Sequence, residues 1–288
     1  MKACPLGWLA AATITPLLVS NNALASALNF SDLNISGSVA LSTSIGVAPF
    51  SDGEVTQSGA ISTTLSGTTT NSVFSTTPGT ADGINDATTI LPAVNPLTGD
   101  LTASGDGVGY RTELRAMHPT GFDFTEGYDF ITEFGIDMEN TSLLNTYTVT
   151  FELDYFHRVQ ATGLDAYADS KLDLEEGTID IFGSDITSDT LFPPVGPADD
   201  IGVYLFDVIV AANSTVTLAG VHQWEGGVFE PGMSDVDSLI DLTLVDVTCQ
   251  GQDCTMRPVP EPGMAGLIAS ALTGIAWLRR RRLPGAAA

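Results

Sequence analysis

This 288-residue sequence predicts an all-β fold, a sandwich or jelly-roll-like single domain, with an N-terminal signal helix and a C-terminal transmembrane helix at its two ends. Three observations carry that prediction. Apolar and polar residues alternate with period two through most of residues 26–247, no amphipathic helical stretch of ordinary length interrupts them, and Gly, Pro and Asp punctuate the runs as turns. Strands of this kind bury one face each, and two sheets packed on one another satisfy them. Residues 26–249 form one cargo domain on this reading, within the size range of all-β domains.

Residues 1–25 read as a secretory signal. Lys2 supplies the positive start, residues 6–19 are mostly apolar, and Ala23-Leu24-Ala25 fits the small-x-small cleavage pattern, so the mature chain would begin at Ser26. Ala25-Ser26-Ala27 offers an alternative cut two residues later. Pro16 interrupts a run already short for a permanent membrane helix.

Residues 51–105, rich in Ser, Thr, Gly and Asp, predict long loops or an irregular edge, the least ordered part of the domain. Strands follow at 108–115 and 128–138. The clearest strand is 146–155, where Tyr147, Val149, Phe151, Leu153 and Tyr155 take one face and polar residues the other. Residues 165–174 alternate again, and the small Ala166, Ala168 and Ser170 among their inward positions predict close approach of a facing sheet. A further strand is expected at 178–182. Residues 201–212, apolar but for Asp207, predict a central strand covered on both faces. Asn213-Ser214 then turns the chain, and 215–221 completes a hairpin. Residues 238–247 supply a closing strand whose parity slips between Leu244 and Val245; a β-bulge there would return Val245 and Val247 inward.

Charge narrows the function classes. All 35 acidic residues lie between Ala25 and Met264, with five of the ten basic ones, so that stretch carries a formal charge of −30. Such a surface repels nucleic acid and anionic lipid and favours solubility. Cys249 and Cys254, four polar residues apart in an exported chain, predict a local disulfide that pins the end of the domain.

No motif names a reaction. His118, His157 and His222 are the only histidines, none spaced for a zinc site, and they read as surface or turn residues. There is no Gly-x-Ser-x-Gly elbow, and paired carboxylates carry no specificity among 35 acids. The chain therefore reads as non-enzymatic, with no cofactor. Structural calcium is the one ion the acids admit, with Asp235-Val236-Asp237 and Asp199-Asp200 as oxygen donors placed in loops. Trp224, the one tryptophan of the domain, is the candidate platform for a sugar ring against the alternative of a core or rim residue. Asn140-Thr141-Ser142 and Asn213-Ser214-Thr215 match the glycosylation tripeptide, a pattern too short to decide anything.

The C-terminal end is more specific. Residues 250–258 form a linker, Val259-Pro260-Glu261-Pro262-Gly263 an exposed non-helical strip, and residues 264–278 an apolar run of 15 residues, followed by Arg279, Arg280, Arg281 and Arg282 and a short tail, 283–288. As a helix the run spans about 22 Å, short of the roughly 30 Å of a bilayer core. The arginines would stay on the cytoplasmic side, leaving the domain outside.

Motif, span and basic cluster in this order resemble the tail of the PEP-CTERM proteins of Gram-negative bacteria. That resemblance covers about the last thirty residues, 259–288, and no part of the domain. It implies a sorting motif at Pro260, Glu261 and Pro262, an inner-membrane intermediate flanked by the four arginines, and exosortase as processing partner. It also implies a final place at the cell surface or in the extracellular matrix, associated with exopolysaccharide. An ordinary C-terminal anchor is the alternative. A carbohydrate- or calcium-binding surface module is the second function class.

Overall fold

A computed structural model describes residues 30–41, 46–48, 54–76, 89–118, 125–192, 198–251 and 254. The signal segment, the motif Pro260-Glu261-Pro262, the apolar run and the arginine cluster lie outside these residues.

Every described element is a strand, and all pair antiparallel in two seven-stranded sheets. Sheet I contains β1 (Leu33–Leu41), β2 (Gly46–Ala48), β6 (Leu97–Asp100), β8 (Thr125–Asn140), β10 (Ala166–Glu176), β11 (Ile179–Asp189) and β13 (Ser214–Val228). Its order is β11-β10-β13-β8-β1-β6, with β2 also on β8. Sheet II contains β3 (Glu54–Leu65), β4 (Thr68–Thr76), β5 (Thr89–Ile90), β7 (Gly107–His118), β9 (Thr146–Gly163), β12 (Asp199–Val210) and β14 (Gly232–Gln250), in the order β12-β9-β14-β7-β3-β4-β5.

The sheets pack face to face in a sandwich-like arrangement, as the period-two patterns require. In β9 the inward Tyr147, Val149, Phe151 and Leu153 are at most 2% exposed, and in β10 the small Ala166, Ala168 and Ser170 sit inward with Leu172 and Leu174. From β6 onward each strand lies in the opposite sheet from its predecessor, except in the β10–β11 hairpin. This alternation corrects the expected hairpin at 201–221. β12 and β13 belong to different sheets, and the chain turns between them at Asn213, where φ is 52°. Asn140 holds that corner, its amide donating to the carbonyls of Asn145, Val210 and Ala211 at 2.8–3.1 Å.

A second correction concerns position within sheet II. β12, expected at the centre, is an edge strand that among the described residues pairs β9 alone, and Ile201, Val203, Leu205 and Ile209 on its outer face are 57–68% exposed. Central β14 instead alternates, with Asp235, Asp237 and Asp241 outward. The bulge falls where the parity slipped: the β14–β9 register shifts between Leu244 and Asp246, and Val247 turns inward. Val245 is the extra residue of the bulge and does not face the core fully.

Much of the Ser/Thr-rich segment is sheet edge rather than loop. β3 and β4 form a hairpin closed by Ser66 and Gly67, both at positive φ (50° and 76°), the conformation a two-residue turn between twisted strands demands. The buried carboxylate of Asp106 secures this turn. It accepts hydrogen bonds from the backbone N–H of Ser66, Thr102 and Ala103, tying the hairpin to the loop before β7.

Candidate functional site: a polar seam and two unlike faces

The interior is not one apolar body. One cluster contains Tyr110, Phe134, Leu153, Leu172 and Ile240; a second contains Leu114, Phe130, Val159, Ala168, Trp224 and Val236. Between them, strand after strand, the inward position is polar: Thr112 in β7, Thr132 in β8, His157 in β9, Ser170 in β10, Ser184 in β11, His222 in β13 and Ser238 in β14. Register aligns them. Thr112, Ser238, His157 and Asp200 are successive cross-strand partners in sheet II, and Thr132 and His222 are partners in sheet I.

Hydrogen bonds run along this seam from one sheet to the other. His222 Nε2 lies 2.8 Å from Ser170 Oγ, which lies 2.9 Å from His157 Nδ1; His157 Nε2 lies 2.8 Å from Ser184 Oγ, which is 2.5 Å from Asp200 Oδ2. A carboxylate only accepts, so the direction is set from that end. Ser184 donates to Asp200 and accepts from His157 Nε2–H; Ser170 donates to His157 Nδ1 and accepts from His222 Nε2–H. His222 Nδ1 is left as an acceptor with no partner among the described residues, beside the equally unpartnered hydroxyl of Tyr110, whose ring stacks on His222 at 5.5 Å.

Burial keeps both imidazoles neutral. It pushes His222 down to about 3, with His157 adding to the effect, and it lowers His157 despite the opposing charges of Asp200 and Asp185. All three histidines are fully buried rather than at the surface or in turns, which corrects the sequence expectation. The Ser170 hydroxyl donates to the His157 imidazole, but both residues are buried from solvent, and the Ser184 hydroxyl points to Asp200 instead.

The outer faces differ. On sheet I the described outward residues include Glu126, Glu133, Asp137, Glu139, Asp169 and Asp173 and one cation, Lys171, which pairs with Asp173 at 2.8 Å. Burial raises Asp169, and the neighbouring acids Asp185 and Asp189 add to it. On sheet II stand all three arginines of the described residues. Arg111 reaches Glu113 at 2.6 Å and Asp237 at 4.0 Å, Arg158 reaches Asp237 at 3.8 Å, and Arg115 reaches Asp235 at 3.7 Å. Glu113, Arg115, Arg158, Asp235 and Asp237, with Thr56 and Ser58, line a shallow groove of about 480 Å³.

Beside it, Gly105, Gly107 and Gly109 floor a depression of about 190 Å³ rimmed by Glu152, Asp154 and Asp241. Gly109 is required there, since a Cβ would strike the Asp241 carboxylate and the Ile240 carbonyl. Burial, with Asp154 opposite, raises Asp241 to about 6.

Other expected site residues find different places. Asp235 and Asp237 lie mid-strand and face arginines instead of forming a calcium loop, while Asp200 is committed to the seam. Among the described residues no group of three or more His, Cys, Asp or Glu is arranged to hold a metal ion. Trp224 is 1% exposed and stacks on Phe130 at 4.8 Å, so its ring offers no face to a sugar. Cys249 and Cys254 are joined by a disulfide. Asn140 of the first glycosylation tripeptide is buried with its amide engaged.

No protein-family model and no curated protein matches this chain. Among solved structures, the crystal structure of the infectious bursal disease virus VP2 subviral particle is 10% identical, covers 85% of this chain and 73% of its own, and gives a TM-score of 0.16. The structure of the infectious bursal disease virus Gx strain is 9% identical, covers 85% and 75%, and gives 0.13. Scores this low carry no argument about fold or function.

Proposed function

We propose that this is an exported, non-enzymatic protein of the cell surface or extracellular matrix of a Gram-negative bacterium, sorted by exosortase and left among exopolysaccharide. The observation that carries this reading is the tail: Pro260-Glu261-Pro262, then 15 residues without a charge, then Arg279, Arg280, Arg281 and Arg282. A span of about 22 Å is too short to sit comfortably as a permanent anchor, which favours transient insertion and removal. The domain is the cargo, and its chemistry lies in its outer faces; the two histidines of the seam are enclosed.

Mass spectrometry of the native host's surface fraction tests the reading. The mature protein should end near Pro260-Glu261-Pro262, and replacing these three residues by alanine should leave an uncleaved form in the inner membrane. Recovery of the intact C-terminus from the surface of cells with active exosortase would replace sorting by plain anchoring.

A second reading, a carbohydrate-binding module, draws on the arginine and carboxylate groove of sheet II, whose side chains offer donors and acceptors to hydroxyls. Glycan arrays separate the two: saturable binding abolished by Arg115→Ala with Arg158→Ala favours the module. The calcium alternative has lost its loop donors Asp235 and Asp237 to arginine pairs.

A further inference from the structure

The geometry points to β12 as a self-association edge, at which a second copy of this chain adds its own β12 antiparallel and joins the two sheets II into one. Four strands end the sheets, and three are blunted among the described residues. β5 has two residues and β6 four; β11 carries Asp180, Asp185 and Asp189 and a register shift against its neighbour. Short, charged or irregular edges resist pairing. β12 carries aspartates too, Asp199, Asp200 and Asp207, but it is neither short nor irregular. It runs 12 residues in unbroken register on β9, from Asp199 opposite Arg158 to Val210 opposite Tyr147, with no Lys, Arg or Pro. Among the described residues its far edge has no partner.

The side chains point the same way. Outward Ile201, Val203, Leu205 and Ile209 are 57–68% exposed, and register continues the band through Phe156 of β9 to Leu239 of β14. On the inner side Tyr204, 39% exposed, ends an aromatic row with Phe206 at 5.8 Å and Phe182 at 5.7 Å. An apolar strip beside an open backbone edge is covered best by another strand that is apolar on both faces.

Charge admits a second copy in registers where no two acids are opposed. With the two-fold axis at Tyr204, Val203 lies opposite Leu205 of the second copy, Asp207 opposite Ile201, Asp199 opposite Ile209 and Asp200 opposite Val208; no two acids meet. Moving the axis to Val203 sets Asp199 opposite Asp207 twice, and like charges directly opposed destabilise a strand pair. Identical edges related by a two-fold pair antiparallel, as every strand here already does. Because both copies are acidic, salt should tighten the association by screening their repulsion.

Sedimentation of the full chain in detergent, with and without added salt, tests this. The wild type should sediment as two chains. Val203→Lys with Leu205→Lys should sediment as one, since both new charges meet like charges across the axis. Val203→Lys with Leu205→Glu should return to two, each ammonium now facing a carboxylate. All three should melt alike when dilute, because both positions are already exposed. A monomeric wild type overturns the inference, whether because the edge stays bare or because another segment of the chain covers it. A doubly charged lysine variant that remains dimeric also overturns it, assigning the contact to the tail or another face.

Discussion

β14 and β12 lie two places apart in the same sheet and bury themselves by opposite means. β14 is paired on both edges, by β9 and β7, and two of its outward aspartates, Asp235 and Asp237, are met by arginines from those neighbours. Among the described residues β12 is paired on one edge, and its outward side chains are four bare aliphatics flanked by Asp199 and Asp207. Side-chain pattern and edge pairing are thus separate variables. A charged face can stand in the middle of a sheet when its charges are matched locally, whereas an apolar face at a free edge leaves both its surface and its backbone groups without cover.

The sharpest contrast comes from truncation. Leu242→Ala, at a fully buried inward position of β14, should cost about 2–5 kcal/mol in denaturant unfolding. Leu205→Ala in β12, measured dilute, should stay within about 0.5 kcal/mol, because that side chain is 57% exposed. Equal losses would mean that β12 is covered even in the single chain.

Acid tests the seam that crosses both strands, through Ser238 in β14 and Asp200 in β12. His222 is held at about 3 in the folded protein against about 6.5 for a free histidine, so between those values the unfolded chain binds a proton that the native state does not. Stability should fall as pH drops from 7 towards 4, and His222→Gln should reduce that slope, leaving the part that comes from His157. An unchanged slope in the variant would place the acid sensitivity elsewhere.

Asp241 in β14 runs the other way. Its folded value of about 6 lies above the usual carboxylate value near 3.9, so the stabilising neutral form is lost as pH rises through 6. Asp241→Asn should therefore stabilise by about 1–2 kcal/mol at pH 8 and by little at pH 4. A gain at pH 4 as large as at pH 8 would contradict it.

How much of this was legible follows from the same separation. Alternation read the faces of β9 and β10 and found the bulge of β14, because those depend on parity within one segment. It could not place β12, since uniform apolarity says nothing about which edges are bonded. It also missed the sheet switch at Asn213, whose cause is the distant amide of Asn140. The β3–β4 hairpin was hidden by its Ser and Thr content, although threonine fits a pleated surface well. The seam had one local signal: His157 keeps the inward parity of Leu153 and Tyr155, and His222 that of Leu218 and Trp224. Only register between strands far apart in sequence reveals that these interruptions form one row.

The most direct test of the central claim is amide hydrogen exchange of residues 201–210, followed against protein concentration. If β12 is completed by a second copy, the amides facing away from β9 should slow as concentration rises. They should exchange fast in the Val203→Lys, Leu205→Lys variant, while those of β14 stay equally protected in both. Fast exchange of those β12 amides at every concentration, with β14 protected, would contradict the account and leave β12 a bare edge.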